Sequence, residues 1–128
     1  MYQRSCLTYF CVIYDENTFD AKDFFESLNL DYKVFERFGT NKSIEIGRNE
    51  IFDININEMV RVTLKDLFGK EEILLNLKKK YNLTYYLERV PSLVYDTDEP
   101  NQILSLEPDI VEFLYKSQTE DDLDYYIL

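Results

Sequence analysis

Two carboxylate runs near the C-terminus are the first residues that could do chemistry. Asp96-Thr97-Asp98-Glu99 places three carboxylates in four residues, and Glu120-Asp121-Asp122 is followed closely by Asp124. Oxygen donors at that density suit a hard cation such as Ca²⁺ or Mg²⁺. A calcium loop of the helix-loop-helix kind also needs ligands at alternate positions, a Gly at the sixth and a Glu at the twelfth. Counted from Asp96, the twelfth position is Glu107, but the sixth is Asn101 and Pro100 intrudes. Both runs therefore read as acidic turns, and no metal ligand is expected.

Other chemistries lack their parts. The chain has no His, which removes the commonest general base and metal ligand, and no Trp. Cys6 and Cys11 have no His to activate a thiolate or to complete a zinc site. In an extended strand their separation of five puts them on opposite faces, with Cα atoms about 16 Å apart. A disulfide tolerates about 7 Å, so no bridge is expected. Gly39, Gly47 and Gly69 stand alone, and none belongs to a phosphate-binding loop. Lys78-Lys79-Lys80 matches the dipole at the end of a helix and is no nucleic-acid motif. Hydrolysis by a carboxylate pair needs a cleft, and 25 acids make chance pairs inevitable. No catalytic or cofactor-binding residue is expected, and no cofactor.

What remains is a charge pattern. The 128 residues carry a net charge of −11, unevenly spread. From Asp96 to Leu128 there are ten acids and one base, Lys116, so this segment carries −9 and residues 1–95 carry −2. Such a field repels nucleic acid and anionic lipid and attracts basic partners. Tyr85, Tyr86, Tyr95, Tyr115, Tyr125 and Tyr126 lie in the same half, and tyrosine supplies rigid contact area at interfaces. The candidate partner-binding surface is Asp96, Asp98, Glu99, Glu120, Asp121, Asp122 and Asp124, with Tyr95 and Tyr125. The plain alternative is acid for solubility and tyrosine for core and sheet edges.

No run of about 18 apolar residues marks a membrane span. The N-terminus lacks the pure apolar run and small-residue cleavage site of a signal peptide. The sequence thus predicts a monomeric cytoplasmic protein-binding module with a basic protein as partner, and neither nucleic acid nor membrane. Its sharpest form is an immunity or antitoxin-type inhibitor that covers the basic active site of a nuclease toxin. A regulatory domain for a small ligand or divalent metal is the alternative, and a carboxylate-based enzyme the third reading.

The elements that must position these groups follow from periodicity. Cys6–Tyr14 is β-branched and aromatic on both faces, as a central strand is. Asp20 caps a helix to about Leu28, whose stripe is Ala21, Phe24, Phe25 and Leu28. Tyr32–Phe38 alternates as a strand, Gly39-Thr40-Asn41 turns, and Ser43–Arg48 is a strand weakened at its end by Gly47. Residues 51–66 are open between strand and helix; the helical spacing starts at Asn57 as cap and runs to about Phe68, where Gly69 stops it. Lys70–Tyr81 is a helix. Leu83–Val90 is a strand interrupted at Pro91, with Ser92–Tyr95 resuming it. Asp96–Asn101 is a loop, Gln102–Ser105 a short strand, Pro108–Lys116 a helix, Ser117–Asp122 a polar connection and Leu123–Leu128 a terminal strand. The order β-α-β-β-α-α-β-β-α-β predicts one α+β domain over residues 1–128, a single twisted mixed or antiparallel sheet with helices on one face. Phe24, Phe25, Leu28, Leu74, Leu77, Ile110 and Phe113 should be buried against it.

These patterns also resemble a family. Thr8-Tyr9-Phe10-Cys11-Val12-Ile13 leads to Phe19-Asp20 opening a helix. Lys70-Glu71-Glu72-Ile73-Leu74 and Lys78-Lys79-Lys80-Tyr81-Asn82-Leu83 form a later helical pattern. The chain closes on Leu104-Ser105-Leu106-Glu107-Pro108-Asp109-Ile110-Val111-Glu112-Phe113-Leu114 and Asp122-Leu123-Asp124-Tyr125-Tyr126. Over about Leu7 to Leu128 the chain resembles the bacterial domain of unknown function 4279 family, although Asp31-Tyr32-Lys33 lacks that family's Pro and the middle lacks its Trp. The resemblance implies a small α+β fold and carries over no site residue.

Overall fold

In the computed structural model, which describes residues 5–31, 42–52, 55–93, 105–124 and 126–127, the long β-branched and aromatic segment is strand β1 (Ser5–Tyr14). It lies between β2 (Lys42–Phe52) and β3 (Thr84–Leu93), antiparallel to both. Two short strands, β4 (Thr119–Leu123) and β5 (Tyr126–Ile127), run parallel to β3 along its other side. The order β2-β1-β3-β4, with β5 also on β3, makes one mixed sheet. The helices are α1 (Ala21–Ser27), α2 (Ile56–Leu64), α3 (Glu71–Tyr81) and α4 (Pro108–Ser117). The fold is α+β.

Strand alternation decides which side the helices take. Phe10 and Val12 of β1 share a face with Ile44 of β2 and with Leu87 and Tyr85 of β3, their register partners or the partners' neighbours. These side chains are buried in one cluster with Phe24, Phe25 and Leu28 around α1, Met59 and Val60 of α2, Leu74 and Leu77 of α3, and Ile110 and Phe113 of α4. All four described helices therefore cover one face, and the seven residues expected in the core are there. The Phe10 ring lies 5.2 Å from Tyr85 and 6.4 Å from Phe113. The Tyr85 hydroxyl satisfies itself by donating to the Leu74 carbonyl at 2.7 Å, as a buried phenol must.

Asn55 caps α2, in place of Asn57, by accepting the Asn57 N–H at 2.8 Å. Asn57 is buried in the first turn, with another task. Its Nδ2 donates to the Ser105 carbonyl at 3.0 Å, and its Oδ1 accepts the Glu107 N–H at 2.8 Å. It ties the approach to α4 onto the start of α2. The helix ends at Leu64, and residues 65–69 form turns that reach Gly69 at φ +84°.

Gly47 does not end β2. Thr8 faces Asn49 while Phe10 faces Ile46, so β2 carries one extra residue, a bulge, and then continues to Phe52. Gly47 sits in it at φ +68°, and a Cβ there would lie 2.2 Å from the Thr63 carbonyl oxygen. The Thr63 hydroxyl donates to the Gly47 carbonyl at 2.8 Å. Its single proton being used, it accepts the Thr8 hydroxyl at 2.6 Å. The glycine thus admits α2 to the sheet.

Pro91 does not interrupt β3. It faces Cys6 on β1, and on its other side it falls between Arg89, the last partner of β4, and Ser92, the first of β5. None of the pairs described on that side falls on Pro91, so its missing N–H breaks none of them. The expected polar connection over Ser117–Asp122 is instead the end of α4 followed by β4, and of the expected terminal strand only Tyr126–Ile127 pairs separately. The described elements therefore run β-α-β-α-α-β-α-β-β. Ser105 lies outside any regular element. The expected strand over Tyr32–Phe38, the turn after it, the 96–101 loop and Gln102–Leu104 lie outside the described residues.

Candidate partner-binding face

β4 carries the described part of the acidic candidate surface. Asp96, Asp98, Glu99, Tyr95 and Tyr125 lie outside the described residues, whereas Glu120, Asp121, Asp122 and Asp124 are all exposed and fall on β4 or just after it. The strand's pleat divides them. Thr119 is buried on the helix-covered side and Asp121 shares that side, while Glu120 and Asp122 point to the other.

On that other side β3 supplies matching residues. Glu120 is in register with Tyr86, and Asp122 with Glu88. The Tyr86 phenol is half-buried, and its pKa is raised. Burial in the sheet is the largest cause; the charge and hydrogen bond of Glu120 follow, then the charges of Asp122 and Glu88. Three carboxylates thus act on one phenol. The sequence-based candidate surface leaves out Tyr86 and Glu88, although LTYYLERV alternates and sets them two apart on one side of a strand. Only the pairing with β4 gives that spacing its meaning.

Much of the remaining acid is answered locally. Arg61 of α2 grips Asp109 at 2.9 and 3.0 Å and Glu107 at 3.2 Å, which holds the Asp109 carboxyl below its ordinary range. Lys116 pairs with Glu112 at 2.6 Å. Arg89 takes Asp121. The dense charge of the C-terminal quarter is therefore not one field, and among its described residues the carboxylates outside these pairs are Glu120, Asp122 and Asp124. Beside Glu120 a groove of about 600 Å³ runs between α3 and α4, lined by Leu75, Leu114, Tyr115, Lys78 and Lys116.

No family model, curated protein or solved structure matches this chain. The family resemblance rests on the sequence patterns alone. The site must be read from its own chemistry.

Among the described residues no group of three or more acids and cysteines is placed to hold a metal ion. Cys6 and Cys11 are both buried and unbridged, on opposite faces of β1. Burial pushes the Cys6 thiol up to about 11, against a smaller opposing effect of the Arg89 charge. A thiol so held is a poor nucleophile at neutral pH. Among the described residues no helix is long and apolar enough to cross a membrane.

Proposed function

We propose that this protein is a protein-binding module for a basic partner, an inhibitor of the immunity or antitoxin type in its sharpest form. The observation that supports this reading is the placement of Glu120, Asp122 and Glu88 around Tyr86 on the sheet face away from the helices. A tyrosine offers apolar area with a polar tip, and the carboxylates around it favour Lys or Arg and disfavour acidic competitors. Charge of this kind speeds encounter, and its effect fades as salt shortens the screening length to about 8 Å at physiological ionic strength.

The test separates placement from bulk charge. The Glu120→Lys/Asp122→Lys variant reverses two charges on the face; Glu58→Lys/Glu72→Lys makes the same change in net charge on exposed helix positions. Both are used as bait in extracts of the source cell, with mass spectrometry of what is retained. A basic protein held by the wild type and the helix variant, released by salt and lost with the face variant, is the expected result. Equal retention by all three, or no salt dependence, refutes the reading.

A further inference from the structure

The apolar pattern of β4 is weak: Thr119 and Leu123 are its covered residues besides Asp121. Thr119-Glu120-Asp121-Asp122-Leu123 carries three adjacent acids, and acids are depleted in strands. Register is ordinarily fixed by the apolar face, and a slip of one residue turns every side chain over. With Glu120, Asp121 and Asp122 so alike, a slip would carry Glu120 and Asp122 toward the helices and Asp121 away from them.

The entry to the strand limits such a slip, and one buried residue holds the strand down. Arg89 of β3 follows Tyr85 and Leu87 on the covered face, and its side chain is only 3% exposed. Nε donates to Asp121 Oδ1 at 2.8 Å and Nη2 to Oδ2 at 2.5 Å, a two-pronged fork. Its carbonyl also accepts the Asp124 N–H at 2.9 Å. A buried guanidinium needs an acid, and among the described residues Asp121 reaches it. Just before the strand, the Ser117 hydroxyl donates to the Phe113 carbonyl at 2.8 Å and accepts the Thr119 hydroxyl at 2.7 Å, fixing the entry.

We propose that Arg89 is the positioning residue of the acidic face: its fork to Asp121 holds β4 on β3 in the register that the Ser117 and Thr119 hydroxyls fix at its entry, and so delivers Glu120 and Asp122 to Tyr86 and Glu88. The delivery half of this inference rests on the function proposed above; the register half does not.

Arg89→Met tests both halves. Methionine fills the space without a charge, and Asp121, 31% exposed, keeps access to water. The register half predicts that the β4 amides bonded to β3 lose roughly tenfold or more of their hydrogen-exchange protection while β1 keeps its own. The nuclear Overhauser contact between the Tyr86 ring and Glu120 should vanish with it. Arg89→Lys, which keeps the charge and loses the fork, should fall between. Full protection of β4 in Arg89→Met overturns the inference. Arg89→Met/Asp121→Leu puts an aliphatic residue between Thr119 and Leu123 on the covered face, so β4 should dock again in the native register. This variant also serves if the single one does not fold, and an unprotected β4 in it likewise overturns the inference.

The delivery half is read with a fluorescent oligo-arginine peptide as probe. Arg89→Met makes the protein one charge more negative, so bulk attraction alone would tighten binding. Loss of position should weaken it, by about tenfold. Undocked β4 with unchanged or tighter binding overturns the delivery half. A wild type that ignores the peptide tells against the proposed function and leaves the exchange result standing.

Discussion

Replacing Gly47 by Ala isolates the point where a helix meets the sheet. Gly47 has φ +68°, where an L residue loses about 1–2 kcal/mol. The added methyl carbon would also stand 2.2 Å from the Thr63 carbonyl oxygen and 2.9 Å from its carbon. These are backbone atoms of α2 and cannot swing aside as a side chain would. Forcing such an overlap in a packed interior costs about 1–3 kcal/mol. The two together come to about 2–5 kcal/mol. Gly69 supplies the internal control: its φ is +84°, but nothing lies within 4 Å of an added Cβ. Gly69→Ala should cost only the conformational part, about 1–2 kcal/mol. Both alanines stiffen the unfolded chain equally, so that effect cancels in the difference. Urea unfolding followed by circular dichroism should therefore place Gly47→Ala about 1–3 kcal/mol below Gly69→Ala. Equal midpoints and slopes for the two variants would refute the argument that close approach of α2, rather than backbone conformation, makes this position a glycine.

Other perturbations test the remaining parts. Leu77→Ala opens a hole beneath α3 and should cost about 2–5 kcal/mol in the same assay. Asp23 is held below its ordinary pKa of 3.8, first by the Lys80 hydrogen bond at 2.8 Å and then by the Tyr81 hydroxyl at 2.6 Å. Its contribution to stability is present above pH 3.8 and is lost as the pH falls through the lower folded-state value, so the acid limb of a pH-stability profile should flatten in Asp23→Asn. Cys6, raised to about 11 against an ordinary 9.0, should resist a thiol reagent at neutral pH until the protein unfolds. It should also make stability fall as the pH rises from 9 to 11, a fall that Cys6→Ala should lessen.

The sequence by itself determined whatever depends on the neighbours of a residue along the chain. The stripes Phe24-Phe25-Leu28 and Leu74-Leu77, the Asp20 cap, the acidic start and basic end of α3, and the unbroken apolar β1 all rest on local period and charge, and the α+β class follows from their alternation. Tertiary structure decided the positions where local signals tie or mislead. Asn55 and Asn57 are equally good caps, and contact with Ser105 and Glu107 settles which one lies inside the helix. Gly47 has the composition of a strand end and becomes a bulge because α2 must come close. Thr119–Asp122 reads as part of a polar connection, since three acids in a row carry no period. It becomes a strand because a buried guanidinium on β3 needs a carboxylate. That choice also settles which acids of the candidate face look outward, and the chain order holds no trace of it. A buried charge chooses its partner through space, from 25 acids that the sequence cannot tell apart.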